Sequence, residues 1–254
     1  MTVEWRAFAE EVERWGDLGR TVDFWWRDDD ATRRTASLER LVGLACQARV
    51  PLALAVIPVD AQADLLAGDT GSVTVLQHGV AHHNRAAPGD KKSEFAVAES
   101  VDAALERLLL GRHRLEAFYG KRSLPVLVPP WNRISQPRLV GALAAAGYRG
   151  LSRFGPRDRP HQTTRLVQVN THVDVIDWKG HRGFVGHEAV LHQAVSHLQA
   201  RRSGANDPAE TTGWLTHHAA HDEATWAFLQ QLLEHTAATR QVVWRSATEL
   251  FDHR

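Results

Sequence analysis

The sequence predicts an α/β fold, a distorted (β/α) barrel of about seven strands that forms one domain over residues 1–254. Apolar strand-like segments alternate with helical periods along the chain, which is typical of parallel strands joined by helical crossovers. The length of 254 residues is common for one α/β barrel. Polar clusters directly follow several of the strand-like segments, as active-site residues do in such barrels.

Eight segments have strand-like sequences, and long helical periods lie between several of them. We predict strands at 21–27, 52–57, 72–77, 124–128, 165–169, 172–177, 212–216 and 241–244. The predicted helices span 34–48, 95–119, 135–146, 187–202 and 221–238, and an amphipathic helix follows the amino-terminal residues. The neighbouring segments 165–169 and 172–177 form an irregular pair, so we expect the barrel to be distorted there.

Composition argues against several classes of partner. The 30 basic and 30 acidic residues cancel, so no strong field would recruit nucleic acid or an anionic membrane. The longest apolar run, residues 50–59, is too short to span a bilayer. We therefore expect no nucleic-acid partner and no membrane insertion. Because the amino-terminal segment has no apolar signal core, we expect a cytoplasmic location.

Cys46 is the only cysteine, so no intrachain disulfide can form. Its neighbours in 41–45 are mostly apolar and lie in a predicted helix. We therefore expect a thiol in the core rather than a nucleophile.

Three acidic residues, Asp28, Asp29 and Asp30, end the first predicted strand. Adjacent carboxylates repel one another, and at least one pKa rises unless a cation neutralises the charge. The run therefore indicates a metal ion, a general base, or both. The alternative is a solvated turn that leads into a helix N-cap.

His78 and His82 lie four residues apart, directly after the predicted strand 72–77. On a helical turn this spacing would put both imidazoles on one face, close enough to share a metal ion. His217 and His221 have the same spacing. The position of His78 at a strand end, like that of the aspartates, favours the first pair.

The prolines at 129 and 130 follow the strand 124–128 and hold the turn that carries Trp131. A flat indole can stack on a sugar ring, although a lone Trp on a turn is more often a packing residue.

Asp177 and His217 each follow a further predicted strand. A histidine that titrates near neutral pH suits general acid catalysis. The alternative for His217 is a neighbour of the helix N-cap, because Asp222 and Glu223 begin the next helix. Each cluster is common by itself, but their repeated placement after strands favours one shared site.

The order of these clusters resembles the five motifs of the polysaccharide deacetylase family (carbohydrate esterase family 4). The resemblance spans residues 23–218, most of the chain. Four of the family patterns are T-F-D-D-G, H-[ST]-x-x-H, R-x-P-[YW]-G and L-x-H. The matching segments, with the fourth motif included, are Arg27-Asp28-Asp29-Asp30-Ala31, His78-Gly79-Val80-Ala81-His82, Val128-Pro129-Pro130-Trp131-Asn132, Asp174 to Trp178, and Leu215-Thr216-His217.

The resemblance implies a distorted barrel and a hydrolase that removes N- or O-acetyl groups from sugars with Zn²⁺ or another divalent ion. The implied metal ligands are Asp30, His78 and His82. The implied catalytic residues are Asp29 as base, His217 as acid and Asp177 as the carboxylate that orients His217. The implied contacts to an acetylated carbohydrate are Pro130, Trp131 and Asn132. Asp28 is the alternative to Asp29 or Asp30.

The chain departs from the family pattern in three places. Val128 stands where the family has the Arg that orients the catalytic Asp, and Arg27 and Arg133 are nearby residues that could replace it. Gly79 replaces a Ser or Thr, and Ala31 replaces a Gly. Two other functions therefore stay open, a catalytically silent sugar-binding protein and a metal-dependent hydrolase of small cyclic amides.

Overall fold

The computed structural model describes residues 2–68, 71–157 and 166–252. Within these ranges nine strands form one sheet, and every pairing between them is parallel. The strands are β1 (Val22–Ala31), β2 (Leu52–Val56), β3 (Val73–His78), β4 (Ser123–Val128), β5 (Gly150–Leu151), β6 (Val167–Gln168), β7 (Val173–Asp174), β8 (Thr212–Thr216) and β9 (Val242–Trp244).

Seven α-helices accompany the strands in the described part of the chain. They are α1 (Val3–Asp17), α2 (Ala36–Ala48), α3 (Val101–Tyr119), α4 (Leu139–Leu143), α5 (His187–Ser203), α6 (Glu223–Ala237) and α7 (Ala247–Phe251). Short 3₁₀ turns follow α3, β4 and β8. No helix among the described residues is long and apolar enough to cross a membrane.

The sheet curls as a distorted barrel, which confirms the predicted fold class. The strand order is β6-β5-β4-β3-β2-β1-β8-β7, and β9 pairs with the first residues of β1. The path thus has eight strands plus β9, slightly more than the seven or so expected. The irregular pair becomes β6 and β7, which have two residues each and lie at opposite edges. Residue 165 of the predicted strand 165–169 lies outside the described residues.

Several predicted boundaries move because local side chains set them. β1 continues to Ala31, and α2 begins only after Thr35, whose side chain accepts the N–H of Leu38 as an N-cap. Asp222 caps α6 in the same way through the N–H of Thr225. The expectation that Cys46 is buried is wrong, because its side chain lies on the exposed face of α2.

Alternation along β1 divides the core into two layers. Trp25 packs with Ala53, Leu76 and Val126 inside the barrel, while the strand's other face packs against the surrounding helices. The Trp25 indole donates to the carbonyl of Asn170 at 2.9 Å. Large indoles of this kind bury much apolar area, so they anchor β1 at the centre of the sheet.

Gly213 of β8 is required by that packing. A Cβ at this position would meet Trp25 Nε1 at 2.4 Å and the Asn170 carbonyl oxygen at 2.5 Å. The absent side chain therefore lets β8 lie directly beside β1. The register then pairs Asp28 with Thr216, and in the next strands His78 with Val128. The carboxyl ends of β1, β3, β4 and β8 thus meet at one rim.

Candidate active site

Asp28 is fully buried, and its carboxylate has three hydrogen-bonding partners. Its carboxylate accepts the Thr216 hydroxyl at 2.7 Å and the His218 backbone N–H at 2.9 Å, and it pairs with His218 Nδ1 at 2.5 Å. Burial opposes ionisation, but the charge and hydrogen bond of His218 hold the pKa of Asp28 below its usual range. The reciprocal interaction raises the pKa of His218 against the effect of burial. Asp28 therefore ties the loop after β8 to β1.

Asp30 lies beside the two predicted metal-ligating histidines. Its Oδ1 is 3.1 Å from His78 Nε2 and 3.4 Å from His82 Nε2. One ligand atom from each of the three residues lies within 4.8 Å of the others. Asp30 has a φ of 69°, so the chain turns at the strand end and aims this carboxylate away from the position of Asp28.

The charges in this group favour a cation. Burial raises the cost of ionising Asp30, but the hydrogen bond and charge of His78 hold the pKa of Asp30 well below its usual range. Burial lowers the pKa of His82, and the neighbouring His78 lowers it further. For His78 the charge of Asp29 and the bond to Asp30 overcome burial and raise the pKa. These three side chains would hold a bound divalent ion.

The donor set fits a divalent ion. His78 Nδ1 lies 3.0 Å from the Val128 carbonyl oxygen, which can only accept a hydrogen bond. Nδ1 therefore carries the hydrogen, and Nε2 is left to bind an ion. One carboxylate and two imidazoles would leave open positions for water and substrate, as in catalytic zinc sites.

The two histidines are not on a helical turn, and this part of the prediction is wrong. His78 is the last residue of β3, and a loop leads to His82. Positive φ angles at Gly79 (57°) and His82 (54°) reverse that loop, so the two rings lie 5.1 Å apart. Glu94, which is fully buried, holds the loop by accepting the N–H groups of Val80 at 2.9 Å and Ala81 at 2.8 Å.

Gly79 is necessary where the family has Ser or Thr. A Cβ there would meet Glu94 Oε2 at 2.1 Å and Pro130 Cδ at 2.5 Å. The positive φ adds strain for any residue with a side chain. Glycine and Glu94 thus form one arrangement that positions His82.

Asp29 pairs with Arg27, which precedes it by two positions on the same face of β1. Arg27 donates from Nε to Oδ1 at 2.8 Å and from Nη2 to Oδ2 at 3.0 Å. The side chain of Asp29 is only 2% exposed, and its charge acts on both His78 and Asp174. The predicted base is thus next to the predicted ion ligands.

The turn after β4 contributes differently at each of its three predicted residues. Pro130 is buried against the loop of Gly79. Trp131 is half-buried with its ring 4.5 Å from the His82 ring, so it borders the candidate ion site. Asn132 accepts a hydrogen bond from Arg27 at 2.7 Å and therefore supports the Asp29 pair as well as any contact with substrate.

His217 lies at the rim, where its charge acts on Asp30 and Asp174. Its ring meets the Trp178 indole edge-on at 4.6 Å. Within the described residues its buried Nδ1 has no hydrogen-bond partner. Asp174 accepts the Trp178 indole N–H at 2.9 Å, and burial raises the pKa of this carboxyl group.

Asp177 does not take the position predicted for it. Its carboxylate accepts the backbone N–H groups of Lys179 at 3.2 Å and Gly180 at 2.9 Å, and it lies 3.5 Å from His181. In this segment the carboxylate whose charge interacts with His217 is Asp174, three residues earlier. β7 has only two residues and a turn follows it. The position of the strand end therefore does not show whether Asp174 or Asp177 faces the rim.

A second group of possible ligands, His172, His197 and Glu210, is buried elsewhere. His172 Nδ1 accepts the Gly213 N–H at 3.0 Å, so its Nε2 carries the hydrogen and donates to Glu210 at 3.0 Å. A nitrogen that carries a hydrogen cannot bind an ion. This group therefore fits a buried hydrogen-bond network better than a metal site. His197 binds Thr212 at the start of β8, the opposite end from His217.

Two side chains near the rim, Glu94 and Ser152, carry no short motif and were not predicted. Glu94 lies in a loop, and Ser152 directly follows a two-residue strand. Asp174 lies in the segment that matches the fourth motif, but no role was predicted for it. Only the tertiary contacts of these residues identify them.

No protein-family model matches the sequence, and no curated protein matches it. Solved structures do match the fold. A candidate polysaccharide deacetylase from Mycobacterium smegmatis has a TM-score of 0.64 at 15% identity, covering 92% of this chain and 90% of that one.

Two other solved structures extend the comparison. A peptidoglycan deacetylase from Bacillus subtilis has a TM-score of 0.56 at 13% identity, covering 91% and 90% of the two chains. A family 4 acetyl xylan esterase from Clostridium thermocellum, solved with cobalt, has a TM-score of 0.54 at 14% identity and covers 90% of both chains. The resemblance indicated by the motifs is thus confirmed in three dimensions, and the chain has the fold of the polysaccharide deacetylases and family 4 carbohydrate esterases.

Proposed function

We propose that this protein is a metal-dependent hydrolase that removes acetyl groups from N-acetylated sugars or glycans, with O-acetylated sugars as related ester substrates. The observation that carries the proposal is the convergence of Asp30, His78 and His82 beside a buried carboxylate, Asp29. We infer Zn²⁺ as the ion, because one carboxylate and two imidazoles are typical zinc ligands. The cytoplasmic location stays a prediction.

Each residue of the rim would have a separate task. Asp29 would take the proton of the attacking water, and His217 would donate one to the leaving amine. The backbone N–H of Trp131 would face the developing oxyanion, while the Trp131 ring would hold a sugar face. When bound, a divalent ion would act as a Lewis acid toward the acyl carbonyl and toward water.

Asp174 is the carboxylate that we propose for orienting His217. It is half-buried, and its charge interacts with that imidazole. A carboxylate beside a catalytic histidine stabilises the protonated ring that donates to the leaving group. This replaces the predicted role of Asp177.

The structure bears differently on the two alternative functions, a catalytically silent sugar-binding protein and a hydrolase of small cyclic amides. A catalytically silent protein was favoured by the missing Arg at position 128, but Asp29 pairs with Arg27 instead. A hydrolase of small cyclic amides would use the same ion and base. Sugar and cyclic substrates would use the same residues, so an assay decides between them.

The test begins with protein prepared without chelators and loaded with Zn²⁺. It is incubated with N-acetylated oligosaccharides, acetylated xylan and a cyclic imide, and release of acetate or opening of the imide is measured. We expect acetate release, and His78→Ala should lose both bound metal and activity. His221→Ala, a histidine of the competing pair, should keep its metal. Turnover of the imide alone would contradict the proposal, as would a wild-type protein that binds no metal.

A further inference from the structure

Arg27 is a fully buried guanidinium with all five N–H groups occupied. Besides the two bonds to Asp29, Nη2 donates to Asn132 Oδ1 at 2.7 Å. Nη1 donates to the Ser152 hydroxyl at 2.6 Å and more weakly to the Arg153 carbonyl at 3.4 Å. A buried charge is costly unless it is paired and its donors are satisfied, so this site is built around an arginine.

The partners of Arg27 lie on the opposite part of the sheet. Asn132 follows β4 and Ser152 follows β5, which are three and four places from β1 in the strand order. The guanidinium therefore spans the barrel interior, on the same face of β1 as Trp25 and Asp29. Asp29 is held to the far wall of the barrel through this one side chain.

Neither alternative residue can hold Asp29 in the same way. Val128 is apolar and belongs to the interior cluster that contains Trp25. Arg133 is half-exposed and donates to the Lys92 carbonyl at 2.7 Å. A guanidinium from β1 thus occupies the interior where the family resemblance places one from β4.

We propose that Arg27 is the positioning residue for the general base Asp29, and that Asn132 and Ser152 hold Arg27 in turn. This inference rests on the proposed hydrolytic function. The planar fork fixes both carboxylate oxygens, which a lysine ammonium cannot do. Free rotation of the carboxylate would move the base away from the attacking water, and misplacement by about 1 Å can cost about 10²-fold in rate.

The test uses zinc-loaded, full-length Arg27→Ala. We expect kcat to fall about 10²-fold, with KM and metal content close to those of wild type. Methylguanidinium at a low, non-denaturing concentration should restore kcat saturably by entering the space between Asp29, Asn132 and Ser152. Urea, which has a similar shape but no charge, should not. A residue needed only for folding would not respond to this rescue.

Further variants keep the result decisive if Arg27→Ala is unstable. Ser152→Ala removes the acceptor of Arg27 Nη1 and should lower kcat less, at unchanged KM. Arg133→Met should leave kcat unchanged. Thermal melting gives a readout without activity, because methylguanidinium should stabilise Arg27→Ala and not Arg27→Ala/Asp29→Asn.

The outcomes separate the two proposals. If wild type hydrolyses no acetylated substrate, the proposed function fails, and selective stabilisation by methylguanidinium would show the pairing alone. If wild type is active and Arg27→Ala keeps the wild-type kcat, the positioning role is overturned. A loss of activity that methylguanidinium does not restore, together with no selective stabilisation, also overturns it.

Discussion

Asp28, Asp29 and Asp30 have the same side chain, but each meets a different partner. Asp28 pairs with His218, Asp29 with Arg27, and Asp30 with the two histidines of the loop after β3. The alternation of β1 and the positive φ at Asp30 separate the three carboxylates. Each carboxylate therefore has its own set of partners.

We predict that Asp29→Asn keeps its metal and lowers kcat by about 10²–10⁴-fold, the usual contribution of a general base. Metal content is measured by elemental analysis and kcat by acetate release. Asp28→Asn is the matched comparison, and it should mainly lower the melting temperature because it breaks the tie to His218. An Asp29→Asn protein without metal would instead make Asp29 a ligand.

His217 supports a second prediction about a single side chain. An amine is a poor leaving group unless it is protonated, whereas a phenolate leaves readily without a proton. His217→Ala should therefore slow hydrolysis of an N-acetylated sugar more than hydrolysis of an aryl acetate. Both rates are compared at equal metal content. If His217→Ala lost its metal and hydrolysed both substrates more slowly by the same factor, the acid role would be contradicted.

At the scale of elements, the strands place the site and short loops complete it. β1 delivers Arg27, Asp29 and Asp30 from one strand, while the loop after β3 delivers His82 only because Glu94 holds it. A loop carrying a ligand is as rigid as the hydrogen bonds that fix its backbone. Glu94 is thus a supporting residue that no motif contains.

We predict that Glu94→Gln weakens metal binding about 10–100-fold without unfolding the protein, because one amide oxygen cannot accept both N–H groups as the carboxylate does. Affinity is measured by competition with a chelator. Glu39→Gln is a matched control, since Glu39 of α2 pairs with Arg34 at 2.6 Å outside this loop. Equal affinity in Glu94→Gln and wild type would show that the loop needs no such support.

At the scale of the whole molecule, the buried hydrogen-bond network of His172, His197 and Glu210 makes the free energy of unfolding depend on pH. Burial lowers the pKa of His172 to about 4 despite its bond to Glu210. Although burial works against it, the hydrogen bond from His172 and the nearby His197 ring lower the pKa of Glu210 to about 2. Between pH 6.5, the ordinary pKa of histidine, and about 4, the unfolded chain binds a proton that the folded protein does not. The free energy of unfolding therefore falls as pH falls, and Glu210 continues the loss below its ordinary pKa of 4.5.

We predict that His172→Gln, which keeps a donor for Glu210, flattens this dependence. Urea unfolding is measured at about pH 7 and about pH 5, and the change in free energy between them is compared with wild type. His192→Gln, on the exposed face of α5, should keep the wild-type slope. If the free energy of unfolding changes equally with pH in wild type and His172→Gln, the network does not cause the pH dependence.

Local patterns were sufficient for much of the architecture. The alternation of apolar strands and helical periods determined the α/β barrel, because each element's periodicity follows from its own residues. Strand-end clusters likewise indicated Asp30, His78 and His82, since the carboxyl ends of parallel strands meet at one rim. The structure brings these three residues together at that rim.

The supporting contacts were decided only by the tertiary structure. Arg27 reaches Ser152 across 125 positions of sequence, and Asp28 reaches His218 across 190. Tertiary packing determines that Asp174, and not Asp177, interacts with His217. It also determines that Gly79 has no room for a side chain. Sequence alone shows the residues that can do chemistry, because their types are distinctive. The partners that orient them are set by strand order and packing, which no local spacing contains.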